Sequence, residues 1–263
     1  ALRGVSVDFL WTHFDHILQK QFGDRYNEAT TFVDLAEMLW GKPGNLFAHT
    51  VNLLGHATMV DRTRGENGVS LCEAIEAKHP SHVKDATIFV SWTWRYGVKK
   101  LLEALRNYCV DQSLSTSSTF VWLCFLCNNQ FQWLASGCND GVATFGDRVK
   151  EIGKVVCVVD SFDAANALYF QRLWPVFEVF TASSVGVEID FALVREAEQR
   201  LMATRIGELK QKIVVDVMKA RATNPGDERQ IKALITAAPG GAELVNASVA
   251  KLFVKLVGEV LLR

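Results

Sequence analysis

The sequence predicts an α/β protein, with a parallel sheet built from βαβ units and helical extensions at both ends. Two observations predict it. Four short apolar runs bounded by polar residues, at 86–92, 119–127, 154–159 and 187–193, have the length of strands buried on both faces. Between them lie stretches with apolar residues at helical spacing, and strands alternating with such stretches imply parallel pairing.

Each element has its own signal. Leu10, Phe14, Ile17, Leu18 and Phe22 recur at helical spacing, so 5–22 is expected to be helix, and 31–40 and 45–60 read likewise around the breaker Gly41-Lys-Pro-Gly44. The polar stretch 61–68 reads as a loop. Ser70 with Glu73 forms a capping box that opens a helix to about Lys78, and His79-Pro80 ends it. Residues 98–112 put Leu101, Leu102, Leu105 and Tyr108 on one side of a helix. Helices are also expected at 144–152, 169–182, 194–203, 205–221, 227–237 and 242–262, with Asn224-Pro-Gly-Asp227 as turn and cap. The last of these places Val245, Val249, Leu252, Phe253, Leu256 and Val260 on a docking face, opposite Lys251, Lys255 and Glu259. The chain therefore divides into a helical extension at 1–84, a flavodoxin-like parallel α/β domain at 85–194, and a helical segment at 195–263 packed on that domain.

Composition narrows the function. The 263 residues are 49% hydrophobic and 22% charged, as in ordinary globular proteins. A net charge of −1 and a pI near 6.7 supply no field to gather nucleic acid, so no nucleic-acid partner is expected. No run approaches the ~18 apolar residues of a membrane span. Cysteines inside apolar runs, such as Val155-Val-Cys-Val-Val159, act as small hydrophobes and fit a reducing, intracellular compartment. The chain starts at Ala1, as a processed product does, which leaves the cytoplasm and a stroma-like organelle interior both open. No GxGxxG, GxxxxGK[ST] or GxSxG is present, which argues against a Rossmann dehydrogenase, a P-loop NTPase and an α/β hydrolase.

Chemistry in an open parallel sheet sits beyond the carboxyl ends of the strands. That rule selects Ser91-Trp-Thr-Trp-Arg-Tyr-Gly97, Asn128-Asn-Gln130, Asp160-Ser-Phe-Asp163 and the helix carrying Trp174 and Glu178. Trp174 and Glu178 are four apart and share a helix face, and a carboxyl beside an indole has its pKa raised by desolvation. Such a group suits an oxocarbenium-like centre in glycosidic cleavage. Arg95 suits a phosphate, and Trp92, Trp94 and Tyr96 suit a flat base. Each has a plain alternative: Trp174 as a core indole, Glu178 paired with Arg172 or solvated, Arg95 on the surface, and Asn128 to Gln130 as a turn. Cys124 and Cys127 lie in a predicted strand, where residues three apart face opposite sides, so no zinc pair is expected. The pairs His13/His16 and His49/His56 read as structural histidines, and no metal is expected.

The motifs in order resemble a family. Phe89-Val-Ser-Trp-Thr-Trp-Arg-Tyr96 resembles the first strand and loop of TIR-like domains widespread in protists, where the segment reads Ser-His-x-Trp-Arg-Tyr. Val121 to Gln130 resembles the next strand of that group, and Arg172-Leu-Trp-Pro-Val-Phe-Glu178 its Arg-x-Trp-Cys-x-x-Glu helix. Ala220 to Glu228 and Gly240 to Val245 resemble its tail, so the similarity spans about 85–263. The resemblance implies two functions. One is a protein-interaction subunit of a larger complex, with protein partners or self-association. The other is an NAD⁺ glycohydrolase or nucleotide-binding enzyme, with NAD⁺ as its substrate. In it Glu178 would cleave NAD⁺ and release nicotinamide, Trp92, Trp94, Arg95 and Trp174 would hold the nucleotide, and Asn128 and Ser161 would orient its polar groups. Trp92 stands where the group has His, and Pro175 where it has Cys. Proline inside a helix costs ~3 kcal/mol, so this helix is expected to begin just before Pro175, with Glu178 in its first turn.

Overall fold

The structure, a computed structural model, describes residues 2–42, 68–131, 141–161, 163, 166–205, 208 and 215–262. The expected helix at 45–60, the loop at 61–67 and the pair His49/His56 lie outside them. The chain divides into two compact units: Ala1–Phe89 with Trp94–Asn139, and Val90–Thr93 with Asp140–Arg263.

The first unit opens on a strand. β1 (Arg3–Ser6) replaces the start of the helix expected from residue 5. Val5 has neighbours on both sides, pairing antiparallel with Val83 of β2 (Val83–Asp85) and with Val121 of β4 (Phe120–Trp122). Ser6 then ends the strand, because its hydroxyl accepts the Phe9 amide at 3.2 Å and caps a helix. That helix, α1, runs as Val7–Phe9, a π-helical stretch Leu10–Phe14, and Asp15–Phe22. α2 (Phe32–Trp40) opens on a capping box of Thr31 and Asp34, and α3 (Leu71–Lys78) on the expected box of Ser70 and Glu73. β3 (Ile88–Ser91) gives Ile88 and Phe89 to this unit, where they pair parallel with β4, and the strand order is β2-β1-β4-β3. α4 (Val98–Asp111) buries Leu101, Leu102, Leu105 and Tyr108 as predicted.

The second predicted strand is cut short. β4 ends at Trp122, and Cys124–Cys127 forms one helical turn, α5, in which the Cys127 and Asn128 amides donate to Leu123 and Cys124 carbonyls at 2.8 and 3.1 Å. Phe125 is thereby turned into the core, with Phe32, Trp40 and Trp94 rings 4.9 to 5.1 Å away. An apolar octet reads equally as buried strand or buried turn, so periodicity alone does not separate them.

The second unit contains α6 (Gly141–Ile152), which starts three residues earlier than expected, and β5 (Lys154–Val159). β5 pairs parallel with β6 (Glu188–Leu193) along its whole length, and Val90 and Ser91 of β3 lie on its other side in the order β3-β5-β6. The helix expected at 169–182 is two: α7 (Leu168–Gln171) and α8 (Leu173–Ser184), separated by Arg172 in extended conformation. α9 (Arg195–Met202), α10 (Pro225–Ala237, capped by Asn224) and α11 (Gly241–Leu261) follow. Residues 215–220, expected as helix, form a turn. Val245, Val249 and Phe253 of α11 are buried, and the Phe253 ring meets Phe170 edge-on at 5.0 Å.

The α/β class and the parallel pairs are as the sequence predicts, but the sheet is mixed because β1 runs antiparallel to both neighbours. Among the described residues no helix is long and apolar enough to cross a membrane.

Gly4 shows how tightly β1 is held. A Cβ there would lie 3.0 Å from the Val121 carbonyl oxygen and 3.1 Å from Ala86 Cα, both backbone atoms. Gly4→Ala is therefore expected to destabilise the protein by about 1–3 kcal/mol, read as a lower urea midpoint at unchanged slope. An unshifted midpoint would show that β1 is not tightly packed there.

Candidate functional site

The second unit gathers its polar side chains where β3 and β5 end. Ser91, the last residue of β3, is fully buried, and its hydroxyl lies 2.5 Å from Glu178 Oε2 and 2.6 Å from the Tyr169 hydroxyl. Tyr169 also donates to the Pro175 carbonyl at 3.3 Å. Glu178 keeps some exposure as a residue, while its carboxyl is crowded by protein atoms. Oε1 has no hydrogen-bond partner among the described residues.

Local structure places each group. Asp160, just past β5, accepts the Leu168 and Tyr169 amides at 3.0 and 3.2 Å, so its carboxylate caps α7 and sets Tyr169 facing Ser91. α8 restarts at Leu173, so Pro175 falls in its first turn, where amides lack intrahelical acceptors and the missing N–H costs little. The helix does begin just before Pro175, but two residues earlier than needed, and Glu178 sits in the second turn rather than the first. The break at Arg172 is held from outside: the Leu173 amide donates to the Arg221 carbonyl and the Arg221 amide to Gln171, each at 3.0 Å.

Burial pushes the Glu178 carboxyl up to about 8, only partly offset by the Ser91 hydrogen bond. The direction is the one expected for Glu178 from the sequence. Burial likewise pushes the Cys157 thiol of β5 up to about 12, and the Tyr169 phenol well above its ordinary range. At neutral pH Cys157 and Tyr169 keep their protons, and the protonated form of Glu178 predominates. Counting donors and acceptors then gives one continuous chain: Glu178 Oε2–H to Ser91, Ser91 to Tyr169, Tyr169 to the Pro175 carbonyl. Ionising Glu178 reverses it, with Tyr169 donating to Ser91 and Ser91 to the carboxylate. The network thus accepts either protonation state of one carboxyl, at a strand-end position where perturbed carboxyls mark functional sites.

The other candidates are distributed between the units. In the second, Trp92 is 5% exposed, beside Ser91. Ser161 accepts the Asp163 amide at 3.1 Å within the turn after β5. Trp174 lies one turn before Glu178, and its indole N–H donates to Asp227 of α10 at 3.1 Å. Arg172 donates to Thr223, and Glu178 bonds Ser91 rather than Arg172. In the first unit, the Trp94 N–H donates to Cys124 Sγ at 3.5 Å, Arg95 is exposed, and Asn128 closes the α5 turn. Gln130 is buried, donating to the Cys124 and Phe125 carbonyls at 2.8 and 3.3 Å, which makes it part of that turn's scaffold. Sequence reasoning did not select Tyr169, Cys157 or Asp227. Asp160 lay in a selected segment by its strand-end position, but its cap reaches α7 from seven residues ahead of the N-cap Ala167, beyond any local signal; Tyr169 had none.

A carboxyl that is more easily protonated folded than unfolded stabilises the fold fully below its unfolded value, here 4.5. That contribution is lost as pH rises towards about 8. Glu178→Gln keeps the neutral shape and is expected to match wild type near pH 5. Above pH 8 it should exceed wild-type stability by on the order of a few kcal/mol. Thermal midpoints from pH 5 to 9 read the difference, and parallel curves for the two proteins would refute it.

No protein-family model matches the chain, and no curated protein or solved structure matches it.

Proposed function

We propose that the second unit is a TIR-like, flavodoxin-like domain that cleaves a cationic N-glycoside of the NAD⁺ type at Glu178, releasing nicotinamide. The observation that carries this reading is the Glu178 carboxyl, with Oε2 held by Ser91, Oε1 unengaged among the described residues, and a pKa raised to about 8. Nicotinamide leaves NAD⁺ as a neutral molecule and needs no proton, so the useful form of Glu178 is the carboxylate facing a developing oxocarbenium. A positively charged pyridinium beside the acid lowers its pKa, because opposite charge favours ionisation. The substrate therefore brings the charge that switches Glu178 on, and the Ser91–Tyr169 chain turns round to stabilise it. The substrate's identity rests on the motif resemblance around Ser91 and Glu178.

The second reading, a protein-interaction subunit, draws on the outer surface of the last two helices. Leu234 of α10 and Leu244 and Val254 of α11 are about half exposed, with Lys251 and Lys255 alongside. On that reading the buried carboxyl is structural, and the helices supply the docking surface.

The two readings separate on one measurement. Purified protein with NAD⁺ should release nicotinamide with a kcat/KM that rises with pH through about 8 as Glu178 of the free enzyme ionises, and with a kcat that rises at lower pH because the bound pyridinium favours the carboxylate. Glu178→Gln should lose at least a hundredfold in kcat while remaining folded. Absence of both turnover and any NAD⁺-induced thermal shift would end the enzyme reading, and activity surviving in Glu178→Gln would remove Glu178 from it. For the interaction reading, the chain should sediment as an oligomer or capture a partner from its native source, and a monomer that captures nothing contradicts it.

A further inference from the structure

Phe9, fully buried in the first unit, lies among three imidazoles. The His13 ring is parallel to it at 5.4 Å, and the rings of His79 and His82 are tilted against it at 5.1 and 5.3 Å. The imidazoles are equally close to one another: 5.4 Å for His13 and His82, 5.9 Å for His13 and His79, and 6.4 Å for His79 and His82. His13 comes from the π-helical stretch of α1, while His79 and His82 come from the connection between α3 and β2. The trio is thus a contact between two segments, made of side chains that can each take up a proton.

The surrounding charges do not offset theirs. Among the described residues no carboxylate pairs with any of the three. Glu76 of α3 and Asp85 of β2 are both engaged by Arg3 of β1, at 2.6 and 3.0 Å. On α3, Glu73 is spent on the Ser70 cap and Lys78 adds a positive charge next to His79. On α1, Asp15 takes the Tyr26 hydroxyl at 2.6 Å, Asp8 lies at the helix start, and His16 is exposed. Lys84 of β2 lies over Phe120, and Arg106 of α4 lies over Trp11. Burial, then the neighbouring His13, His82 and Lys78, hold His79 below its ordinary range.

A second contact depends on the same proton. His82 Nδ1 lies 3.0 Å from the hydroxyl of Ser6, the fully buried residue that caps α1. With His82 neutral and protonated on Nε2, Ser6 donates to Nδ1 while accepting the Phe9 amide. Protonated His82 becomes a donor there, which leaves the Ser6 hydroxyl proton without that acceptor in a buried position. Among the described residues no group of three or more His, Cys, Asp or Glu side chains could hold a metal ion, so what the trio shares is protonation.

We propose that His13, His79 and His82 form an acid-sensitive latch, which holds α1 against the α3–β2 connection at neutral pH and releases it below about pH 6.5. The first imidazolium beside Phe9 is tolerable as a cation–π contact, but the second and third meet like charge within about 6 Å. The latch is independent of Glu178 and lies in the other unit.

Hydrogen–deuterium exchange on the full chain, corrected for intrinsic rates, tests it. Between pH 7.5 and 5.5, protection in 7–22 and 71–82 should fall at least tenfold, while protection in β5 and β6 does not fall, because protonated Glu178 stabilises that unit in the same window. The triple variant His13→Gln/His79→Gln/His82→Gln should abolish that fall. If the triple variant does not fold, His79→Gln alone should cut the fall to under threefold. Proton NMR should show the His79 titration moving up when His13 and His82 are both replaced by Gln, because their charge opposes its proton. Protection that is independent of pH, a fall that survives in the variants, or a His79 titration unmoved by the His13→Gln/His82→Gln pair would overturn the latch.

Discussion

The hydrogen bond between Ser91 and Glu178 joins residues 87 positions apart, and the buried polar chain of the second unit is built on it. It requires β3 to end at Ser91, α7 to aim Tyr169 inward, and α8 to start early enough to bring its second turn to the strand end. Burial around that bond raises the carboxyl. Removing water from the carboxyl costs far more while it is charged than while it is neutral and hydrogen-bonded. The resting state is therefore the neutral acid, whose proton completes the chain through Ser91 and Tyr169 to the Pro175 carbonyl.

That arrangement is anchored by the segment following the turn at 215–220. A helix broken at Arg172 would leave the Gln171 carbonyl and the Leu173 amide without partners, and Arg221 supplies both. Arg221 is fixed in turn by Glu228, which accepts from Lys232 and from Arg221, each at 2.8 Å, and from the Ala222 amide at 3.1 Å. Lys232 first, then Arg221 and the Ala222 amide, hold the Glu228 carboxyl down at about 2. The indole of Trp174 is tied to Asp227 one residue away. The stretch from Arg221 to Glu228 thus acts as a brace on α8, and Trp174 serves that brace as well as sharing a face with Glu178.

The two units use buried polar groups differently. In the second, one carboxyl is tuned by burial and held by hydroxyls that can reverse their donors. In the first, three imidazoles lie around one phenyl ring, and among the described residues no carboxylate pairs with them. Both leave the protein most stable with the group neutral, and they respond in opposite directions: Glu178 disfavours alkaline conditions and His79 acidic ones.

Much of this was legible in the sequence because it is local. The capping box of Ser70 and Glu73, the amphipathic face of α4, the cap at Asn224 and the apolar runs of β5 and β6 follow from side-chain period and hydrogen-bonding reach along a few residues. Pro175 fixed where α8 must restart to within two residues, and the reading of Glu178 as a carboxyl beside the Trp174 indole gave the upward direction that burial produces. Tertiary contacts decided the rest. β1 is a strand because β2 and β4 flank it, which four residues of sequence do not disclose; α5 turns because Phe125 has three rings to meet. Ser91, Tyr169 and Glu178 share hydrogen bonds only because distant backbones converge. The sequence by itself determined which segments are helix or strand wherever the signal lies within one turn or one pleat. Tertiary structure alone decided which of its polar residues meet, because burial and donor geometry belong to neighbours in space.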